Sequence, residues 1–96
     1  MVITPFVATP TYTCVPDWRG ALIVYISCST SGATIRYTWA YGTDPTKAPT
    51  PTSFSQIYRN PLYLTRDTVV KARAYKTGYF TSFIRTLIVD FWPYSN

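Results

Sequence analysis

The residue types that perform most enzyme chemistry are scarce in this 96-residue chain. It contains no His and no Glu, and its only acids are Asp17, Asp44, Asp67 and Asp90. Without an imidazole there is no Ser–His or Cys–His pair, and four scattered carboxylates do not form the converging pair that glycoside hydrolysis needs. Two cysteines without His do not make a usual zinc site. We therefore expect no catalytic residue, metal site or cofactor, and a protein that is not an enzyme.

Residues suited to binding are better represented, and the first group is cationic. Lys and Arg total 9, which gives a formal net charge of +5. Strand alternation places Arg36, Lys71 and Arg73 outward on neighbouring strands. Such a face is either an ordinary solvated surface, a docking site for an acidic protein partner, or a nucleic-acid contact. No run of like charge is present, so a nucleic-acid partner is not expected.

The second group is aromatic, since 18% of the residues are Phe, Trp or Tyr. Trp39, Tyr41, Phe54 and Tyr58 surround a loop that contains three prolines. Aromatic faces stack on sugars and also anchor protein interfaces, and Trp39 could instead close one end of the core. The tail residues Trp92 to Tyr94 are expected to pack on their own domain or on a neighbouring chain. Trp39, Tyr41 and Trp92 are therefore candidate partner-binding residues, together with the three cations.

The elements that must position these residues are β-strands. β-branched and aromatic residues dominate, and turn residues recur every eight to twelve positions, which is typical of a sandwich. The sequence predicts an all-β, immunoglobulin-like antiparallel sandwich of about seven strands, forming one domain over residues 1–96. The predicted strands cover residues 5–14, 21–29, 34–40, 54–58, 61–65, 68–76 and 82–91.

Alternation along these strands predicts which side chains face the core. The inward set comprises Leu22, Val24, Ile26, Cys28, Ile35, Tyr37, Trp39, Val70, Ala72, Ala74, Phe83, Leu87, Val89 and Phe91. A hairpin around residues 17–20 places Cys14 opposite about Ile23, too far from Cys28 for a disulfide. We therefore expect two free, largely buried thiols.

Several motifs, in order, resemble the chitobiase/β-hexosaminidase C-terminal domain family. The match covers about residues 21–82, and one departure is the insertion of Trp39-Ala40-Tyr41 before the glycine turn. The motifs are Ile26-Ser27-Cys28-Ser29-Thr30-Ser31-Gly32-Ala33-Thr34-Ile35-Arg36-Tyr37-Thr38, Gly42-Thr43-Asp44-Pro45, Tyr58-Arg59-Asn60-Pro61-Leu62, Lys71-Ala72-Arg73-Ala74-Tyr75 and Gly78-Tyr79. The resemblance implies a small immunoglobulin-like module that accompanies carbohydrate enzymes and surface proteins, and it implies no catalytic residues.

Composition completes the expectation about function. Only 14% of the residues are charged, so Thr, Ser and aromatic side chains must form much of the surface, which suits a protein held against a partner. No signal peptide or membrane span is evident. We expect a structural attachment protein of a bacteriophage virion, bound to capsid or tail proteins and made in the host cytoplasm. The alternative is a glycan-associated accessory module within a larger secreted, extracellular glycoside hydrolase.

Overall fold

Within residues 3–91, seven strands form two antiparallel sheets, as the alternating sequence predicts. The computed structural model describes residues 3–91. The strands are β1 (Thr11–Pro16), β2 (Leu22–Ser27), β3 (Thr34–Tyr41), β4 (Gln56–Ile57), β5 (Leu62–Leu64), β6 (Thr68–Tyr75) and β7 (Arg85–Val89). One sheet has the order β1-β2-β5, and the other has the order β4-β3-β6-β7. The all-β sandwich prediction is confirmed. No helix in the described part of the chain is long and apolar enough to cross a membrane.

The core lies between the two sheets and is small. Val24 and Ile26 of β2 face Val70 and Ala72 of β6, and all four are buried. Partly buried side chains pack around them, including Ile35 and Tyr37 as predicted; the others are Tyr12, Leu22, Tyr58, Leu62, Leu64 and Leu87. The alanines predicted inward on β6 are fully buried, which permits close approach of the sheets.

The β3–β6 pair is the longest ladder of the fold, and it positions the candidate residues. It runs from Thr34 opposite Tyr75 to Tyr41 opposite Thr68. Since residues directly opposite each other share a face, the inner face carries Tyr37, Trp39 and Tyr41. The outer face carries Arg36 with Arg73, and Thr38 with Lys71.

The first predicted strand is partly wrong, because its amino-terminal half does not join the β1–β2 ladder. Phe6 instead makes an isolated parallel bridge to Phe80, and β1 begins only at Thr11. Val7 donates to the Phe80 carbonyl, and Phe80 donates to the Pro5 carbonyl, both at 2.9 Å. The two prolines of this segment have no N–H to offer a ladder, which accounts for the delayed start.

The register of the first hairpin also corrects the expectation for Cys14. It lies opposite Val24 rather than Ile23 and is exposed, while Cys28 is half-buried; both are free thiols. Cys14 shares the inward-facing side of Val24, but β1 is an edge strand and little packs over it. The prediction that both thiols are largely buried is therefore wrong for Cys14.

The last predicted strand contains a break in register that turns Phe83 outward. Along β7, Ala72 lies opposite Arg85, so regular pairing would place Ala74 opposite Phe83. Ser82 occupies that place instead: its N–H donates to the Ala74 carbonyl, and its Oγ accepts from the Ala74 N–H. A shift of one residue exchanges the two faces of a strand. Phe83 is therefore 67% exposed, and its predicted inward orientation is wrong.

Candidate functional site

The three predicted cations are brought together on the outer face of the β3–β6 pair. Arg36 lies directly opposite Arg73, and Lys71 is two residues before Arg73 on the same strand. All three are half-buried rather than freely solvated. The sequence therefore predicted their common face correctly but not their surroundings.

A proline-rich segment that folds back over this face accounts for the difference. Residues 48–55, here called the strap loop, accept hydrogen bonds from the outer face through four of their main-chain carbonyls. Arg36 Nη1 donates to the Ser55 carbonyl at 2.7 Å, and Lys71 Nζ donates to the Ala48 carbonyl at 3.0 Å. The remaining strap bonds run from Thr38 Oγ1 to Pro49 and from the Tyr75 hydroxyl to Pro51.

These bonds follow from the composition of the loop. Carbonyls outside helices and strands still need donors when they are covered, and the long polar side chains of the outer face supply them. Ala48 and Pro51 of the loop are buried, and so is Val69 on the outer face of β6. Arg73 Nε donates in the other direction, to the Ser82 carbonyl at 3.1 Å. Each of the three cations thus donates a hydrogen bond to a loop carbonyl as well as lying on the common outer face.

The loop enters this arrangement through a short 3₁₀ helix, Pro45–Lys47, whose N-cap is Asp44. The Asp44 carboxylate accepts from the Thr46 hydroxyl at 2.7 Å and from its N–H at 3.0 Å. Both hydrogen bonds lower the pKa of the Asp44 carboxyl, and the one from the Thr46 hydroxyl has the larger effect. Asp44 is therefore a capping residue.

One end of the outer face remains open and forms what we call the basic groove. Its volume is about 550 Å³, and it lies between the strap loop and the turn after β6. Two cations, Arg36 and Lys76, line it together with hydroxyl-bearing side chains. The latter include Thr34, Ser53, Thr77 and Thr81.

Trp39 and Tyr41 form an exposed ring pair, here called the aromatic edge. Their ring centroids are 5.0 Å apart with an interplanar angle of 59°, and the Arg66 guanidinium lies 3.9 Å from the Tyr41 centroid. Trp39 is 49% exposed and Tyr41 is 52% exposed. Trp39 lies on the inner face of β3 as the alternation predicts, but the sandwich is open there, so it does not close the core.

The main chain of this part of β3 has a free side. The Ile35 carbonyl accepts from the Tyr58 N–H at 2.8 Å on the β4 side, so the main-chain groups of alternate residues from Ile35 onward point away from β6. β4 pairs only with Arg36 and Tyr37. Among the described residues, no strand covers that side of Trp39 and Tyr41, which leaves a short unpaired edge.

A cleft of about 190 Å³ lies beside the aromatic edge, between β3, β5 and β6. Its walls are mainly apolar and include Tyr37, Leu62, Leu64 and Val70. The other two aromatic residues predicted to surround the loop, Phe54 and Tyr58, do not line this cleft. Phe54 is 94% exposed at the strap loop, and Tyr58 packs edge-on against Tyr37. Trp92, the third aromatic candidate, lies outside the described residues.

Sequence reasoning missed a second aromatic cluster, made of Phe6, Phe80 and Phe83. The Phe6 ring lies 5.2 Å from Phe80 and 5.5 Å from Phe83, and all three are exposed. The parallel bridge at Phe6 and the register break at Ser82 create this cluster. The alternating pattern gave no signal for it, because Ser82 falls on the outward side of the predicted strand, where a polar residue is expected.

The acids do not converge. Asp17 accepts from the Tyr63 hydroxyl at 2.8 Å, and Asp67 accepts from the Phe91 N–H at 2.8 Å. The Asp17 hydrogen bond, together with smaller effects, raises the pKa of Tyr63. Within residues 3–91, no three His, Cys, Asp or Glu side chains are grouped as metal ligands.

Comparisons with known proteins agree with this architecture at the level of the family. Searches of curated proteins and of solved structures each found no significant match. The family model described as Fn3 associated matches residues 24–89, a span that runs from the core strand β2 to the end of β7. This span includes the β3–β6 ladder, the strap loop and the aromatic edge. The chain therefore belongs to the Fn3 associated family, a group of fibronectin-III- and immunoglobulin-like domains.

Proposed function

We propose that this protein is a non-catalytic attachment protein that docks on a larger protein assembly through its aromatic edge. The observation that carries the proposal is the exposure of Trp39 and Tyr41 on a stretch of β3 whose main chain is unpaired on one side. Large exposed aromatic residues beside an apolar cleft are typical interface anchors. An unpaired strand edge adds main-chain hydrogen bonds to such an anchor.

The composition of the cleft favours a protein partner over a sugar. A sugar site combines a flat ring platform with several polar groups that bond hydroxyls. Trp39 and Tyr41 are inclined to one another rather than coplanar, and Leu62, Leu64 and Val70 supply much of the wall. Thr68, the threonine of the cleft, already donates to the Arg66 carbonyl. Apolar side chains from a partner protein fit these walls better.

The positions of the acids support a non-catalytic role. Asp17, Asp44 and Asp67 each accept a hydrogen bond from a side chain or main-chain group of the fold, in three separate parts of the sandwich. A general acid and base pair would need to converge on one substrate. The sequence also lacks the histidine on which most alternatives depend.

A bacteriophage capsid or tail is the assembly that we propose. The grounds are the low proportion of charged residues, the absence of a catalytic set and the aromatic surfaces. The second candidate is an accessory module of a secreted glycoside hydrolase, which the motif resemblance to the chitobiase/β-hexosaminidase C-terminal domain family favours. The two candidates differ in whether protein or glycan retains the domain.

Co-sedimentation with phage particles tests the proposal. Trp39→Ala is compared with Phe54→Ala, because Phe54 is an exposed aromatic residue of the strap loop that does not line the cleft. We expect Trp39→Ala to weaken binding at least about thirtyfold and Phe54→Ala to bind like the wild type, since central interface aromatics contribute about 2 kcal/mol or more. Binding by an aromatic anchor should persist at high salt.

Two results would contradict the proposal. Equal binding of both variants would remove the aromatic edge from the interface. Retention of the wild-type protein on immobilised chitin, without binding to particles, would favour the accessory-module candidate.

A further inference from the structure

The basic groove concentrates positive charge in a way that the fold itself does not neutralise. Arg36 and Lys76 line it, and its lining residues include no Asp or Glu. The described hydrogen-bond partners of both cations are main-chain carbonyls, which carry only partial charge. A bound anion would compensate the charge of these two cations.

The two cations that line the groove keep most of their donors available. Arg36 uses one N–H on the Ser55 carbonyl, and Lys76 uses one on the Ser31 carbonyl at 2.6 Å. A guanidinium has five N–H groups and an ammonium has three, so several remain for a ligand. Thr34, Ser53, Thr77 and Thr81 add hydroxyl groups along the same walls.

The spacing of the cations defines the shape of the ligand. Arg36 lies opposite Arg73, and Lys76 follows three residues later, so the two positions are about 10 Å apart along the strand direction. A peptide in the polyproline II conformation has three residues per turn, so carboxylates three residues apart lie on one side of it at a similar distance of about 9 Å. Arginine binds a carboxylate through two parallel hydrogen bonds, and lysine acts as a point charge.

We propose that the basic groove is an anion-binding site that receives two carboxylates from an acidic segment of a partner protein in the polyproline II conformation. The choice of a protein segment rests on the attachment function proposed above, and the choice of an anion rests on the groove alone. The groove lies on the outer face of the β3–β6 pair, and the aromatic edge belongs to the inner face. The two surfaces therefore contact different parts of a partner.

The test uses a blocked synthetic heptapeptide with glutamates at its third and sixth positions and serine or glycine elsewhere. Binding to the full chain is followed by NMR of the amide groups of Thr34, Thr77 and Thr81. We expect saturable shifts at these amides that weaken as salt rises, because exposed charge pairs are screened. The same peptide with glutamine in place of both glutamates should not bind.

Variants assign the binding to the groove. Lys76→Gln should weaken peptide binding up to about fivefold, the usual limit for one exposed ion pair. Lys47→Gln is the control and should bind the peptide like the wild type, because Lys47 lies in the 3₁₀ helix outside the groove. Thr77→Glu places a carboxylate of the chain itself in the groove and should prevent binding. Thr77→Gln, its uncharged counterpart of the same size, should bind normally. This pair keeps the test valid if loss of the Lys76 hydrogen bond disturbs folding.

Three outcomes would overturn the proposal. Equal peptide affinity in Thr77→Glu and Thr77→Gln would place the anion elsewhere. Binding of a sulfated heparin fragment without binding of the peptide would make the groove a glycan site. Binding of inorganic sulfate as tight as that of the peptide would show that the groove has no site for a peptide. Because no phage particle is used, these outcomes are independent of the Trp39→Ala comparison: either test can fail while the other succeeds.

Discussion

Arg36 and Arg73 face one another across the β3–β6 ladder, and their side chains leave in opposite directions. Arg36 Nη1 reaches the Ser55 carbonyl of the strap loop, while Arg73 Nε reaches the Ser82 carbonyl before β7. Two cations that would repel if they stood side by side are thereby separated, and each anchors a different loop on the sheet. The outer face consequently positions loops as well as charge.

The strap loop gives the first prediction, on stability. Tyr75→Phe removes the hydroxyl that donates to the Pro51 carbonyl, and we expect a loss of about 0.5–1.5 kcal/mol in the free energy of unfolding. Hydrogen exchange should also accelerate in residues 48–55. Tyr25→Phe is the matched control, because Tyr25 is exposed on β2 and its hydroxyl has no partner among the described residues. Equal destabilisation by both variants would show that the strap bond contributes nothing.

Asp44 provides a prediction for acid pH. Its folded pKa lies below the ordinary value of 3.8, mainly because the Thr46 hydroxyl and N–H donate to the ionised carboxylate. A depressed pKa means that the contribution to stability is present above about pH 3.8 and is lost as the pH falls through the folded pKa. Thr46→Val should move the NMR-detected titration of Asp44 back toward its ordinary value. A titration that stays unchanged in Thr46→Val would assign the shift to another cause.

The sequence predicted the strands well because their alternation is regular over β2, β3 and β6. Val24, Ile26, Ala72 and Ala74 are buried where the period of two places them. The candidate surfaces were harder to predict, because they depend on how loops return to the sheet. Composition identifies residues 41–53 as a loop, but it does not reveal that the main-chain carbonyls lie against Lys71.

Residues 82–84 show a second limit of pattern reasoning. The Ser82 Oγ accepts from the Ala74 N–H in place of a main-chain carbonyl, and the register shifts by one residue there. The hydrophobic pattern of the sequence does not record this shift. The same break exposes Phe83 and completes the cluster with Phe6. Local hydrogen bonding at one position therefore decided which of two faces became a surface.

The cysteines give a prediction for chemical labelling. Under denaturing, non-reducing conditions we expect two alkylated thiols by mass spectrometry. In the native protein Cys14 should react first, because it is exposed, whereas the half-buried Cys28 donates its thiol hydrogen to the Ala8 carbonyl at 3.2 Å. Desolvation by nearby groups raises the pKa of the Cys14 thiol. Because the thiolate is the reactive form, its labelling rate should keep rising at pH values where that of an unperturbed cysteine has levelled off. An unlabelled monomer under denaturing conditions would establish a disulfide.

The register break at Ser82 gives the last prediction, which compares two residues that the sequence pattern assigns to the same face. Leu87 packs against the core opposite Val70, so Leu87→Ala should cost about 2–5 kcal/mol through the cavity that it leaves. Phe83 contributes mainly its stacking on Phe6, so Phe83→Ala should cost about 0.5–1.5 kcal/mol.

Denaturant unfolding of both variants measures the difference. A larger loss for Phe83→Ala than for Leu87→Ala would mean that Phe83 lies in the core and that the ladder continues without a break. A third variant, Ser82→Ala, isolates the cause: it removes the Oγ that accepts from the Ala74 N–H and leaves that buried donor without its partner. We expect a cost of about 1–3 kcal/mol, the usual penalty for an unsatisfied buried group.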